Sequence, residues 1–135
     1  MTMLKTTLIA LASAVALAGC GSLERQTPRI VGAGNDGGAV VLKQGDTLVV
    51  TLEANPSTGY RWQTVAGTGT VLTPLGTPDY LPDKLAAGMV GAPGDMVFRY
   101  RAAAPGQTDL VLDYRRAFET GVAPAKSVRY AVSVQ

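Results

Sequence analysis

The chain contains no histidine at all, and that absence removes more chemistry than any other feature of its composition. Without an imidazole there is no Ser-His-Asp or Cys-His nucleophile, no histidine general base and no histidine-ligated metal site. Catalysis would have to run on carboxylates, lysines or hydroxyls. The acids Asp36, Asp46, Glu53, Asp79, Asp83, Asp95, Asp109, Asp113 and Glu119 are scattered and form no paired motif. An enzyme using Ser57 or Thr58 with a lysine base is the remaining catalytic option, but Lys43, Lys84 and Lys126 bear no motif relation to that turn. The chain is therefore not expected to be an enzyme, and neither a metal nor a cofactor is implied.

Cysteine is nearly absent as well: Cys20 stands alone, so no internal disulfide can form. Stability has to come from an apolar core. Charge is sparse and near balance, with 12 basic side chains against 10 acidic ones, so no basic face marks a nucleic-acid partner. Long apolar runs are missing except at the start. Met1 to Lys5 is a basic opening, Leu8 to Leu17 an apolar run too short to span a membrane, and Leu17-Ala18-Gly19-Cys20 a small-residue close. This pattern resembles a bacterial lipoprotein signal, which implies removal of residues 1–19, acylation of Cys20 and a lipid-bearing tether over 20–27. Gly21 after that cysteine resembles lipoproteins sent to the outer membrane, so a lipid-anchored position in the cell envelope is expected.

What is present beyond the tether is a two-residue period. Leu48, Val50 and Leu52 alternate with Thr47, Val49, Thr51 and Glu53; Tyr60, Trp62 and Thr64 alternate with Arg61 and Gln63. Three further segments alternate cleanly, carried by Met96 to Ala102, Leu110 to Tyr114 and Val128 to Val134. Pro28 to Val31 reads as a first edge strand and Thr70 to Leu75 as a weaker one. Pro78 to Pro82 is too interrupted by proline to be central. Asp83 to Val90 is a short helix candidate that Gly88 turns into a loop. Gly32 to Gly38 matches G-x-G-x-x-G, but it opens the β-branched run Ala39 to Leu42 rather than a helix, so it reads as a turn and not a dinucleotide site. Residues 28–135 are thus expected to form an all-β, immunoglobulin-like antiparallel β-sandwich of about seven strands, with Trp62 the largest core member and Arg99, Arg101 and Arg129 in solvent.

In such a sandwich every second connection falls at the same end. Ala54 to Gly59, the loop ending Gly88 to Gly94, and Arg115 to Ala125 should share one pole, with Ala103 to Gln107 at the other. The first of these, Asn55-Pro56-Ser57-Thr58-Gly59-Tyr60, is stiffened by Pro56 and turned by Gly59, and is expected to present an amide, two hydroxyls and bare backbone. With Gly91-Ala92-Pro93-Gly94 and Arg116-Ala117-Phe118 in that order, the chain resembles the chagasin-like inhibitors of papain-like cysteine peptidases, which carry N-P-T-T-G, G-x-G-G and R-P-W or R-P-F. The resemblance covers roughly the last hundred residues.

The resemblance implies noncovalent, reversible occlusion. The first loop would enter the peptidase cleft near the catalytic cysteine, and the other two would clamp its walls, with Arg116 reaching sideways along one. A monomer with no cofactor is implied. The chain departs from the family pattern at Ser57 for threonine, at Pro93, which removes an amide donor, and at Ala117 for proline; Phe118 keeps an aromatic without the indole N–H. The competing reading is an envelope lipoprotein whose immunoglobulin-like domain binds another envelope protein or acts as a scaffold.

Overall fold

The computed structural model describes residues 19, 26–84, 89 and 91–135. Cys20 and its signal, and residues 85–88 and 90 of the second loop, lie outside the described residues. Nine strands are seen among those described: β1 (Arg29–Val31), β2 (Ala39–Leu42), β3 (Thr47–Ala54), β4 (Tyr60–Ala66), β5 (Leu72–Pro74), β6 (Asp79–Pro82), β7 (Gly94–Ala102), β8 (Gly106–Arg116) and β9 (Lys126–Val134). One sheet runs β1-β3-β7-β5, with β6 also on β7; the other runs β2-β9-β8-β4.

The period-two pattern decides which face each strand turns inward. Leu48, Val50, Leu52 and Ala54 of β3 meet Phe98, Tyr100 and Ala102 of β7; across the sandwich lie Leu110, Leu112 and Tyr114 of β8 and Val128, Tyr130, Val132 and Val134 of β9. A slip of one residue in any of these strands would move its whole apolar set into water, at about 1.5–3 kcal/mol for each large side chain, so the register is held firmly. Trp62 is buried and donates its Nε1–H to the carbonyl of Glu53 at 2.9 Å. Tyr130 donates to the Gly32 carbonyl at 2.8 Å. Burial, with the Asp36 and Tyr100 charges adding to it, pushes its hydroxyl up to about 12, so it remains a donor through the ordinary pH range.

The sandwich departs from a purely antiparallel one of about seven strands. There are more short strands, and each sheet ends in a parallel pair: β1 with β3 through Arg29↔Leu48 to Val31↔Val50, and β2 with β9 through Ala39↔Ala131 to Leu42↔Val134. The cause is the glycine-rich segment between β1 and β2. It makes a single 3-10 turn at Ala33–Asn35, closed by Asn35 N–H on the Gly32 carbonyl, and carries the chain from one sheet to the other along one lateral edge. No helix follows it, as expected. Asp79–Pro82 does form a strand, but on the sheet edge, where proline is tolerated. Arg99, Arg101 and Arg129 are exposed, Arg99 paired with Asp79 and Arg129 with Asp109 on the surface.

Strand directions fix the two poles. β3, β6 and β8 end, and β4, β7 and β9 begin, at the pole that carries the three loops. The turn around Gly45 and the β7–β8 turn share the other, joined by Gly45 N–H on the Ala102 carbonyl at 2.7 Å and Gln44 Nε2–H on the Ala103 carbonyl at 3.1 Å.

Candidate functional site

The first loop is built by Asn55. Pro56 starts a single 3-10 turn, Pro56–Thr58, as a proline does well where no backbone donor is required. The Asn55 side-chain oxygen accepts from the Ser57 N–H at 3.2 Å and from the Ser57 hydroxyl, while its carbonyl accepts from Thr58 N–H at 3.2 Å and Thr58 Oγ1–H at 2.7 Å. Gly59 closes the turn at φ 81°, with its N–H on the Pro56 carbonyl at 3.1 Å. The amide and both hydroxyls lie on the exposed face of the turn, and each also donates a hydrogen bond within the protein, so capping fixes their directions.

Beneath the loop lies an aromatic floor. Asn55 N–H donates to the Tyr114 hydroxyl at 3.1 Å, and Tyr114 packs against Tyr60 and Trp62 with ring centroids 5.3 and 5.0 Å apart. Such ring pairs add about 0.5–1.5 kcal/mol beyond their buried area, so the first loop rests on a stiff base. Beside it, Ala54, Pro56, Tyr60, Tyr80 and Met96 line a largely apolar cleft of about 300 Å³.

The second loop is tied to the first. Asn55 Nδ2–H donates to the Gly91 carbonyl at 2.9 Å, the Tyr80 hydroxyl to the Ala92 carbonyl at 3.1 Å, and Asp83 N–H to the Pro93 carbonyl at 3.1 Å. Gly91 takes φ 83°, which a side chain would resist. Pro93 is exposed, and Gly94 is buried at the start of β7.

In the third loop, Arg116 ends β8 and opens a turn closed by Glu119 N–H on its own carbonyl at 3.3 Å, with Ala117 and Phe118 at the corner. Its guanidinium carbon sits 4.5 Å from the Tyr60 ring centroid and 5.9 Å from that of Phe118, Nε–H donates to the Thr58 carbonyl at 3.2 Å, and Nη1 meets Glu119 Oε1 at 3.4 Å. Arg116 thus folds back onto the first loop instead of reaching sideways, because two rings, a carbonyl and a carboxylate outbid open water for its planar cation. Phe118 remains 75% exposed, more than any other large apolar side chain among the described residues.

The structure brings together Asn55 to Tyr60, Gly91 to Gly94 and Arg116 to Phe118 at one pole, as their order along the strands implied. Sequence reasoning missed Tyr80, Tyr114 and Glu119. Tyr114 reads as one more apolar member of an alternating strand, and only its place at the strand's polar end hints that its hydroxyl emerges under the loop.

Three linked loops thus share one end of an immunoglobulin-like sandwich, with an exposed aromatic among them. The chain belongs to the chagasin family of peptidase inhibitors: residues 41–134 match the family described as Chagasin family peptidase inhibitor I42. It is 32% identical over 90 residues, 67% of this chain and 72% of the relative, to Amoebiasin-2 of Entamoeba histolytica. Among solved structures, the cysteine protease inhibitor EhICP2 from Entamoeba histolytica superposes with a TM-score of 0.71 at 28% identity, over 79% of this chain and 95% of that one. Amebosin does so at 0.67 and 25%, over 81% and 100%. PbICP-C, solved in complex with falcipain-2, shares the fold at a TM-score of 0.61 and 19% identity, over 79% and 99%.

Proposed function

We propose that this chain is a noncovalent, reversible inhibitor of papain-like cysteine peptidases that acts as a monomer, with Asn55 to Tyr60 entering the cleft and Gly91 to Gly94 and Arg116 to Phe118 lying on its walls. The observation that carries this is the hydrogen-bonded union of the three loops, since a rigid pole loses little conformational entropy when it docks. Membership of the chagasin family and the cysteine protease inhibitors among its relatives support the same partner class. A titration of papain with the full chain in mild detergent tests it. The expected result is a stoichiometric end point with activity recovered on dilution; a flat titration of papain and of other papain-like peptidases would exclude it.

The third loop supplies a prediction within this reading. Ala117 holds the second place of a hydrogen-bonded turn, where proline is favoured, and the preceding Arg116 is already extended in β8. Ala117→Pro should tighten inhibition about two- to fivefold, the equivalent of the roughly 0.4–1 kcal/mol that a compatible proline commonly gains. Inhibition constants for the two forms against papain decide it. A weakened constant with the fold intact would mean that the turn needs a backbone state closed to proline.

The finer placement rests on Leu17-Ala18-Gly19-Cys20 alone. On that pattern Cys20 carries lipid and the domain stands at the cell envelope, held by its tether. Intact mass spectrometry should find the acyl mass on the parent and none on Cys20→Ser; an acyl mass on both, or on neither, would remove the anchor.

A further inference from the structure

Resting on the inhibitor reading, we infer that Tyr80 is a positioning residue for inhibition: its hydroxyl holds the second loop in the shape that docks. Three successive carbonyls of that loop, at Gly91, Ala92 and Pro93, each accept a hydrogen bond from a different part of the molecule. Asn55 comes from the first loop and Asp83 from the backbone after β6. Tyr80 is the only side chain of β6 that reaches the loop in this way among the described residues. The approach is close by construction. A Cβ on Gly94 would stand 2.7 Å from the Tyr80 hydroxyl and 2.4 Å from the Leu81 carbonyl, so the bare Cα of Gly94 admits β6 to this position.

The strand that carries Tyr80 does little for the core. None of its four residues is buried, it lies on a sheet edge, and it ends in Pro82. Beyond its pairing with β7 and the surface ion pair of Asp79 with Arg99, its contribution is the bond from Tyr80 to the Ala92 carbonyl. With all three carbonyls bonded inside the protein, Gly91 to Gly94 is held in the backbone shape those bonds permit and meets a partner mainly through its carbon surface, since Pro93 has no N–H and the Ala92 N–H is given to the Met89 carbonyl at 3.4 Å. Tyr80 also lines the apolar cleft that Pro56 of the first loop lines.

Tyr80→Phe removes only the hydroxyl. Two readouts on the full chain in detergent test the role: amide hydrogen exchange at Gly91, Ala92 and Gly94, and the inhibition constant against papain. Exchange at these amides should quicken severalfold while amides of β8 and β9 keep their protection, and inhibition should weaken about three- to tenfold, the effect of one net hydrogen bond. Unchanged exchange in the loop overturns the inference whatever the peptidase does. If the parent blocks papain and Tyr80→Phe blocks it equally well, Tyr80 has no positioning role and the inhibitor reading stands. If the parent itself fails to block papain or its relatives, the inhibitor reading falls, and the role of Tyr80 in inhibition falls with it.

Discussion

Replacing Thr58 by arginine should abolish inhibition, raising the inhibition constant by on the order of a hundredfold or more, while the thermal unfolding midpoint stays close to that of the parent. Thr58 is exposed on the 3-10 turn, and its side chain meets the strands only through a long bond, its hydroxyl accepting from Tyr60 N–H at 3.4 Å at the start of β4. The substitution forfeits that bond and the Oγ1–H bond to the Asn55 carbonyl, but the parallel bond from Thr58 N–H remains, so the folding cost is about 0.5–1.5 kcal/mol. The cost at a partner is of another order. A long cation at the tip must either enter a closed cleft without its water or push the loop aside, and this loop cannot yield. Tyr114 holds it from below, the second loop accepts its Asn55 amide, and Arg116 grips its Thr58 carbonyl. Inhibition assays against papain, paired with a thermal scan, read both quantities. An unaltered constant would remove the first loop from the cleft.

The second large effect is expected at Arg116. Alanine there removes a charge-assisted bond to the Thr58 carbonyl, the cation that stacks on Tyr60 and the platform against which Phe118 rests, and it strands Glu119. Arg116→Ala should therefore weaken inhibition about thirtyfold or more, in line with roughly 2 kcal/mol for an arginine at the centre of an interface. Lysine is the informative comparison, because it keeps the charge and loses the planar fork. Arg116→Lys is expected to recover little. Full recovery would show that charge alone matters and that the stacked geometry does not.

Which parts of this molecule were legible in its sequence follows from what sets each part. β3, β7, β8 and β9 were readable because alternation records burial directly: Leu48, Val50 and Leu52 point one way and Thr47, Val49 and Thr51 the other. The shared pole of the three loops followed from strand alternation alone. The parallel pairing of β1 and β2 was not readable, since an edge strand's partner depends on where the chain changes sheets, and the turn at Ala33–Asn35 carries no mark of that crossing. Polar side chains were the other blind spot. Asn55 and Arg116 are types that serve equally well as contacts or as internal struts, and their choice is made by partners 36 and 58 residues away in the chain, the carbonyls of Gly91 and Thr58. Tyr80 escaped because its prolines mark the segment only as non-central, which says nothing of what its side chains reach.

The parallel run of β1 beside β3 also decides which way the molecule faces. β1 enters level with Leu48 and advances in the same direction as β3, whose far end delivers Ala54 and then the first loop. The Gln26 side chain already lies against the Gly45 turn, at the opposite end. The described residues just before Arg29 thus lie toward the end remote from the loops, and the eight residues of β3, at about 3.3 Å each, set roughly 25 Å between that end and the first loop. A protein held by its N-terminal side would carry the first loop outward like a lance, with the length of the sandwich as clearance for whatever it engages.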